Sequence, residues 1–338
     1  MFYLSANRNP KHLSITYLYY ISAASTISHQ PAFRNAGFSG VIEPLHAGSA
    51  LINPDYKEYI EPGLLRRMSK ILRMSVACSG DCLKQGGIEQ PDAIVVGTGL
   101  GCLLDTEKFL NNALTVKGLL PPTSFIQSTH NTMAGQISLS LGNHGYNMTH
   151  TQNSISFENA LLDAMLLIDE GEKHILVGAA DEHIALLDEI SAQLNIQSDC
   201  GLTSGASFFI LSAEKSDQTL AGIKDAEALG LVKNIPEQIT AFLDRNNVNP
   251  DDLDLILYAG SVAGTEDGEK DFQSLLKMKN LPVLDYMKYS GIYPTASAFA
   301  LHMAADQMQH TRSIKNILIC NSLIQHNLGL ILVQSVEA

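Results

Sequence analysis

Much that makes a function easy to read is missing from these 338 residues. No apolar run reaches the ~18 residues that a membrane-crossing helix needs. No run of Lys or Arg is longer than the pair Arg66–Arg67, and 22 basic residues face 35 acidic ones for a net charge of −13. That balance argues against a nucleic-acid partner. It also repels an acidic carrier protein unless a local basic patch offsets it. There is no G-x-S-x-G elbow, no H-E-x-x-H, no P-loop and no paired C-x-x-C. The sequence grounds for an α/β-hydrolase or a zinc site are therefore absent. Cysteine is scarce: Cys78, Cys82, Cys102, Cys200 and Cys320 are odd in number and sit mostly in apolar settings such as ILIC. Reduced thiols in a cytoplasmic protein are the expectation. Cys78 and Cys82 stand at i, i+4 without a second ligand pair, so no metal is expected.

What is present is α/β material. Hydrophobic residues make up 45% and charged residues 17%, enough for a large core. Apolar runs such as YLYYISAAS, DAIVVG, HILVGAADE, ASFFILSAE, DLILYAG, KNILICNS and LGLILVQS read as strands. Between them LLRRMSKILRMSVACSGDCL, DTEKFLNNALT, AGQISLSLG, FENALLDAMLLIDEG, PEQITAFLDRNN, EKDFQSLLKM and SAFALHMAADQMQ read as helices. Asp105 is the expected cap of the second, and Gly142 and Gly171 are expected helix stops. Buried strands alternating with helices predict covered sheets. QPDAIVVGTGLG echoes NPDDLDLILYAGSVAG, which suggests two duplicated halves joined through EKSDQTLAGIKDAEALG, near Lys215. The expected divisions are a poorly ordered leader over 1–13, a first half over 14–214 and a second over 215–338.

The motifs are ambiguous on chemistry alone. GTGLG, Gly97 to Gly101, could cradle a phosphate, but Cys102 stands at the sixth place of the dinucleotide pattern and a tight turn is the simpler reading. No cofactor is expected. His130, His144 and His150 cluster without a standard ligand spacing. Ser154 falls where a strand and turn enter a long amphipathic helix. There it either caps free amides or acts as a nucleophile at the helix's positive end. A serine nucleophile needs a base, and none is evident nearby in sequence.

The run PTSFIQSTHNTMAGQISLSLGNHGYNMTHTQNSISFENALLDAMLLIDEGEKHILVGAADE resembles the heart of the β-ketoacyl synthases. Asn131, Ala134, Gly135, Gly142, Gly145, Ala160, Ala164, Gly171, Gly178 and Glu182 fall on that family's pattern, with no gap between Asn131 and Ile168. In that alignment the family's nucleophilic cysteine becomes Ser154. Its first histidine becomes Gly260, the acidic residue after it matches Asp271, its lysine matches Lys288, and its second histidine becomes Tyr293. The glycine-rich gate is shortened to Leu323–Asn327. LLRRMSKILRMSV, GTGLGCLLDTEKFL and FIQSTHNTMAGQI resemble the divergent synthase-like proteins of aryl polyene and flexirubin-type pigment clusters.

The resemblance implies an α/β thiolase-like fold of two similar halves in a five-layered α-β-α-β-α arrangement, and a dimer. It also implies altered chemistry. Claisen condensation needs a thiolate to carry the acyl chain and donors to stabilise an enolate. Losing one such donor typically costs a factor of ~10²–10³. With Ser154, Gly260 and Tyr293 in the three places, condensation is not expected, and Lys288 and Asp271 cannot restore it. Three readings follow. The chain is a silent partner of an active ketosynthase, in the manner of a chain length factor, meeting an acyl carrier protein through that partner. Or Ser154 serves an acyltransferase or thioesterase with His130, His150 or His326 as base. Or a homodimer binds acyl chains.

Overall fold

The computed structural model describes residues 18–46, 48–194, 201–259 and 281–336. Ten strands form one hydrogen-bonded series. They are β1 (Tyr19–Ile27), β2 (Ala93–Gly97), β3 (Tyr146–His150), β4 (His174–Asp181), β5 (Gly205–Ser212), β6 (Ala221–Leu229), β7 (Leu255–Tyr258), β8 (Val283–Asp285), β9 (Asn316–Asn321) and β10 (Leu328–Gln334). Their order is β3-β2-β4-β5-β1-β6-β10-β9-β7-β8. Read outward from the middle, each five-strand run has the same order, since adding five to 1-5-4-2-3 gives 6-10-9-7-8. The echo of β2 in β7 thus reflects equivalent positions. Among the described residues the ladder between the two runs has three residue pairs, Tyr19–Ile21 against Ala221–Ile223.

Alternation along the strands sorts the core into layers. Val95, Val177, Phe209, Leu257, Ile319 and Ile331 point into a central cluster shared by both runs. That cluster holds helices α6 (Ser156–Asp169) and α10 (Ser297–His310). The opposite face of the first run packs on α2 (Lys70–Gly86) and α5 (Thr132–Leu141) through Ile94, Leu176 and Ile210. The opposite face of the second run packs on α8 (Ile235–Arg245) through Ile256, Leu318 and Leu330. The result is five layers, α-β-α-β-α, as the resemblance implies. The other described helices are α1 (Pro62–Leu65), α3 (Leu103–Thr115), α4 (Pro122–Gln127), α7 (Ala185–Gln193) and α9 (Met287–Ser290).

Several local expectations change. The single helix read from Leu64 to Leu83 is broken at Arg66–Ser69 into α1 and α2. Asp105 does not cap α3; it lies buried in the first turn, because the helix already begins at Leu103. Gly142 ends α5 with φ +62°, a left-handed turn in which Asn143 N donates to Ser138 O. Part of the segment read as the join, AGIKDAEAL, is strand β6, with Asp225 and Glu227 paired to Arg245 of α8. The leader, the helix read in EKDFQSLLKM, Gly260 and Asp271 lie outside the described residues.

Candidate functional site

Ser154 lies in a 3-10 turn, Asn153–Ile155, between β3 and α6, and is fully buried. Asn153 opens the turn with φ +55°, a conformation Asn tolerates better than most residues. The turn separates Ser154 from the free amides of α6, whose N-cap position is Ile155 without a side-chain bond. Ser154 therefore does not cap the helix. Its carbonyl accepts from Asn321 Nδ2 at 2.7 Å, and its Oγ accepts from Asn327 Nδ2 at 3.3 Å. Both asparagines come from the second half of the chain.

Glu158 follows one helical turn later and is also fully buried. Its Oε1 accepts from Asn321 Nδ2 at 2.9 Å, while Oε2 has no partner among the described residues. Burial pushes its carboxyl above the ordinary range, against the pull of the Asn321 bond. The carboxyl sits against Gly329 of β10, where a Cβ would lie 2.5 Å from Oε1. Any larger residue there would have to displace that carboxyl.

Asp181, at the end of β4, ties the neighbourhood together. It accepts from Thr98 Oγ1 at 2.9 Å, Gly99 N at 3.0 Å, Leu100 N at 2.9 Å, Thr295 N at 3.1 Å and Thr295 Oγ1 at 2.7 Å. Burial raises its pKa, and these donors oppose the rise. The amides of GTGLG that could have cradled a phosphate are thus turned onto an internal carboxylate. Gly99 has no room for a Cβ, because Pro294 occupies that place and Asn153 O lies 3.2 Å away. The 293–295 segment is in this way held beside the Ser154 turn.

Tyr293 shares that burial. Its hydroxyl has no partner among the described residues, and burial raises the phenol far above its ordinary pKa, with the Asp181 charge adding. Its ring covers Gly205 of β5, where a Cβ would lie 2.5 Å from Cζ. Lys288, by contrast, is exposed on α9, and its carbonyl accepts from Leu45 N. The structure brings Ser154 and the Tyr293 segment together; Lys288 does not share their burial.

No imidazole among the described residues is within hydrogen-bond distance of Ser154 Oγ. His150 Nε2 is 3.0 Å from Asp163 Oδ2, His326 Nδ1 is 3.0 Å from Val232 O, and His130 packs against Gly101. The described residues include no group of three or more side chains able to hold a metal. Sequence reasoning missed Glu158, Asp181 and Asn321. The one available signal was a polar residue in an otherwise apolar setting, as Asn321 is at the end of NILICN.

The repeated strand order and two buried central helices define a thiolase-like fold with a ketosynthase-type strand–turn–helix at its centre. The chain belongs to the β-ketoacyl synthases: the model described as "Beta-ketoacyl synthase, N-terminal domain" matches residues 52–226. Comparison with curated protein sequences gave no match. Among solved structures, the ishigamide ketosynthase/chain length factor superposes with a TM-score of 0.77 at 16% identity, over 95% of this chain and 100% of that one. A β-ketoacyl synthase from Burkholderia phymatum STM815 gives 0.75 at 12%, over 95% and 100%. The ketosynthase ApeO in complex with its chain length factor ApeC, from Xenorhabdus doucetiae, gives 0.72 at 13%, over 96% and 100%. At these identities the likeness is one of fold.

Proposed function

We propose that this chain is a non-condensing ketosynthase-like subunit that pairs with an active ketosynthase and acts as a chain length factor. The setting is type II polyketide or fatty acid assembly of the aryl polyene kind. One observation carries the reading: the residue at the nucleophile position is a buried serine hydroxyl held by Asn327, with no base among the described residues in reach. A serine so placed has neither the acidity of a thiol nor a partner to remove its proton. Tyr293, at the place of the second histidine, is a buried phenol without an imidazole's chemistry near pH 7. In this proposal Ser154, Gly260 and Tyr293 mark the three lost catalytic groups, Lys288 and Asp271 are remnants, and the halves divide near Lys215.

Strand β3 supports a partner. It ends the strand series, so one edge of its backbone is unpaired by any described strand. Tyr146 and Met148 on it, and Leu139 on the adjoining α5, are exposed. An open edge beside exposed apolar side chains is a template for a second sheet. Solved relatives described as a ketosynthase with its chain length factor, and as a ketosynthase with its acyl-carrier protein, support the choice of partners. The carrier is reached through the active synthase. No helix among the described residues is long and apolar enough to cross a membrane, and Cys78, Cys82, Cys102 and Cys320 are free thiols, which supports a cytoplasmic setting.

The test is intact-mass analysis after incubation with an acyl-carrier thioester, alongside Ser154→Ala. No acylation of either protein, and product only when a synthase with Cys and two His is co-expressed, is the expected result. Acylation of the parent chain but not the variant would overturn it and make Ser154 a nucleophile.

A further inference from the structure

A second site lies at the far end of α10. Ser297, at its start, is 3.5 Å from Asn321 in the cluster around Ser154. Thirteen residues on, at ~1.5 Å per residue, His310 is about 20 Å away. There a cleft of about 660 Å³ opens between the end of α10, the C-terminal half of α2 and β1, near where β1 parts from β6. That is the size of a small-molecule site.

The hydrogen bonds already made in this cleft determine what it can still offer. Asn35 Nδ2 donates to Pro31 O, Gln85 Nε2 donates to Asp81 Oδ2, and Gln309 Nε2 donates to Leu220 O. Each amide group is thereby oriented, because its partner can only accept. None of the three amide oxygens has a donor among the described residues. Thr26 Oγ1 donates to Ser207 Oγ, so His302 Nδ1 must carry the proton it shares with Thr26. His302 Nε2 is then a bare lone pair, and burial, which lowers this histidine's pKa to about 4, keeps the ring neutral. His310 Nδ1 faces Asp306 O, and so makes its own contact within α10.

The fixed charges of the lining balance, Arg34 and Lys84 against Asp81 and Asp306. Arg34 is matched by Asp81 at 2.7 Å and Glu58 at 2.8 Å. The Asp306 carboxylate accepts from Gly37 and Ser39, and His310 Nδ1 lies 3.6 Å from its Oδ1. Lys84 is exposed and also lines the cleft. The whole molecule carries −13, a field that draws cations.

We propose that this cleft binds a small organic ammonium ion, a primary amine or diamine, whose N–H groups meet the free oxygens of Asn35, Gln85 and Gln309 and the bare Nε2 of His302. The probe is 1,4-diaminobutane, followed by calorimetry and by the ring-nitrogen resonance of His302. Inorganic phosphate is the anion control. Gln85→Leu and Gln309→Leu lie at exposed positions, but each also removes a hydrogen bond, to Asp81 Oδ2 and to Leu220 O, so thermal melts are expected to fall modestly with both proteins still folded. They leave net charge unchanged, so they separate this site from diffuse attraction to an acidic surface. Saturable diamine binding is expected, weakened about tenfold for each acceptor lost, with a His302 shift in the parent. No saturable binding, equal binding by the variants, or preference for phosphate overturns the proposal.

Discussion

Nδ2 of Asn321 is 2.9 Å from Oε1 of Glu158, and across this bond a strand of the second half holds the central helix of the first. The same nitrogen lies 2.7 Å from the Ser154 carbonyl. Replacing Asn321 with Leu leaves a buried carboxyl and a buried carbonyl without their donor. The expected loss is about 3 kcal/mol in urea denaturation. Adding Glu158→Met should recover the carboxyl's share, because an apolar pair replaces the orphaned acid, while the cost of the unpaired Ser154 carbonyl remains. Failure of the double variant to recover would mean that Asn321 acts through something other than Glu158.

Tyr293→Phe should stabilise the protein by about 1 kcal/mol or more. Its hydroxyl is buried with no described partner, and removing an unsatisfied polar group removes its desolvation cost. A destabilised Tyr293→Phe protein would show that the hydroxyl does have a partner.

Stability should fall as pH rises through the acid side of neutrality, in part because of Glu182. This carboxyl is buried just after β4; Oε1 accepts from Leu104 N, and Oε2 has no partner among the described residues. Burial raises its pKa from 4.5 to about 7, with Asp105 adding and the Leu104 bond and Lys70 opposing. The folded state then holds a proton that the unfolded chain has already released. Its contribution is most favourable below pH ~4.5 and is lost by pH ~7. Glu182→Gln should therefore gain roughly 2–3 kcal/mol over the parent at pH 8 and little at pH 4. Denaturation at the two pH values measures the difference, and equal gains at both would exclude linkage as the cause.

Ser154→Cys should not create a reactive thiol. The side chain is fully buried, and a thiol without a neighbouring cation or base keeps a high pKa. Iodoacetamide should add no more label to the native variant than to the parent, and one more equivalent in denaturant. Rapid labelling of the native variant would show that the turn opens to solvent.

The layer plan was legible because buried strands are written as near-continuous apolar runs. HILVGAAD and GASFFILS are buried almost throughout, as their composition demands. Strand β6 was not legible. Lys224, Asp225 and Glu227 interrupt its pattern, and the two acids make sense only once Arg245 of a later helix lies beside them. The site divides in the same way. The Ser154 turn could be found from the local run of residues. What surrounds it could not, since Asn321 and Asn327 stand more than 160 residues away in sequence and local patterning carries no record of a long-range amide. The GTGLG turn was rightly read as a turn, but its carboxylate anchor, Asp181, lies some 80 residues on.

The repeated strand order has a consequence for how the chain could be written. Gly222 of β6 is opposite Tyr20 on one side and Gln334 on the other. The head of β1 and the tail of β10 are therefore two strand spacings apart, about 10 Å. A few residues would bridge them. Were the chain closed there and reopened between β5 and β6, the second half would be synthesised first and every strand would still find its neighbour. In this architecture the order of the two halves along the chain is a matter of ancestry, and their mutual burial of α6 and α10 is what makes them one molecule.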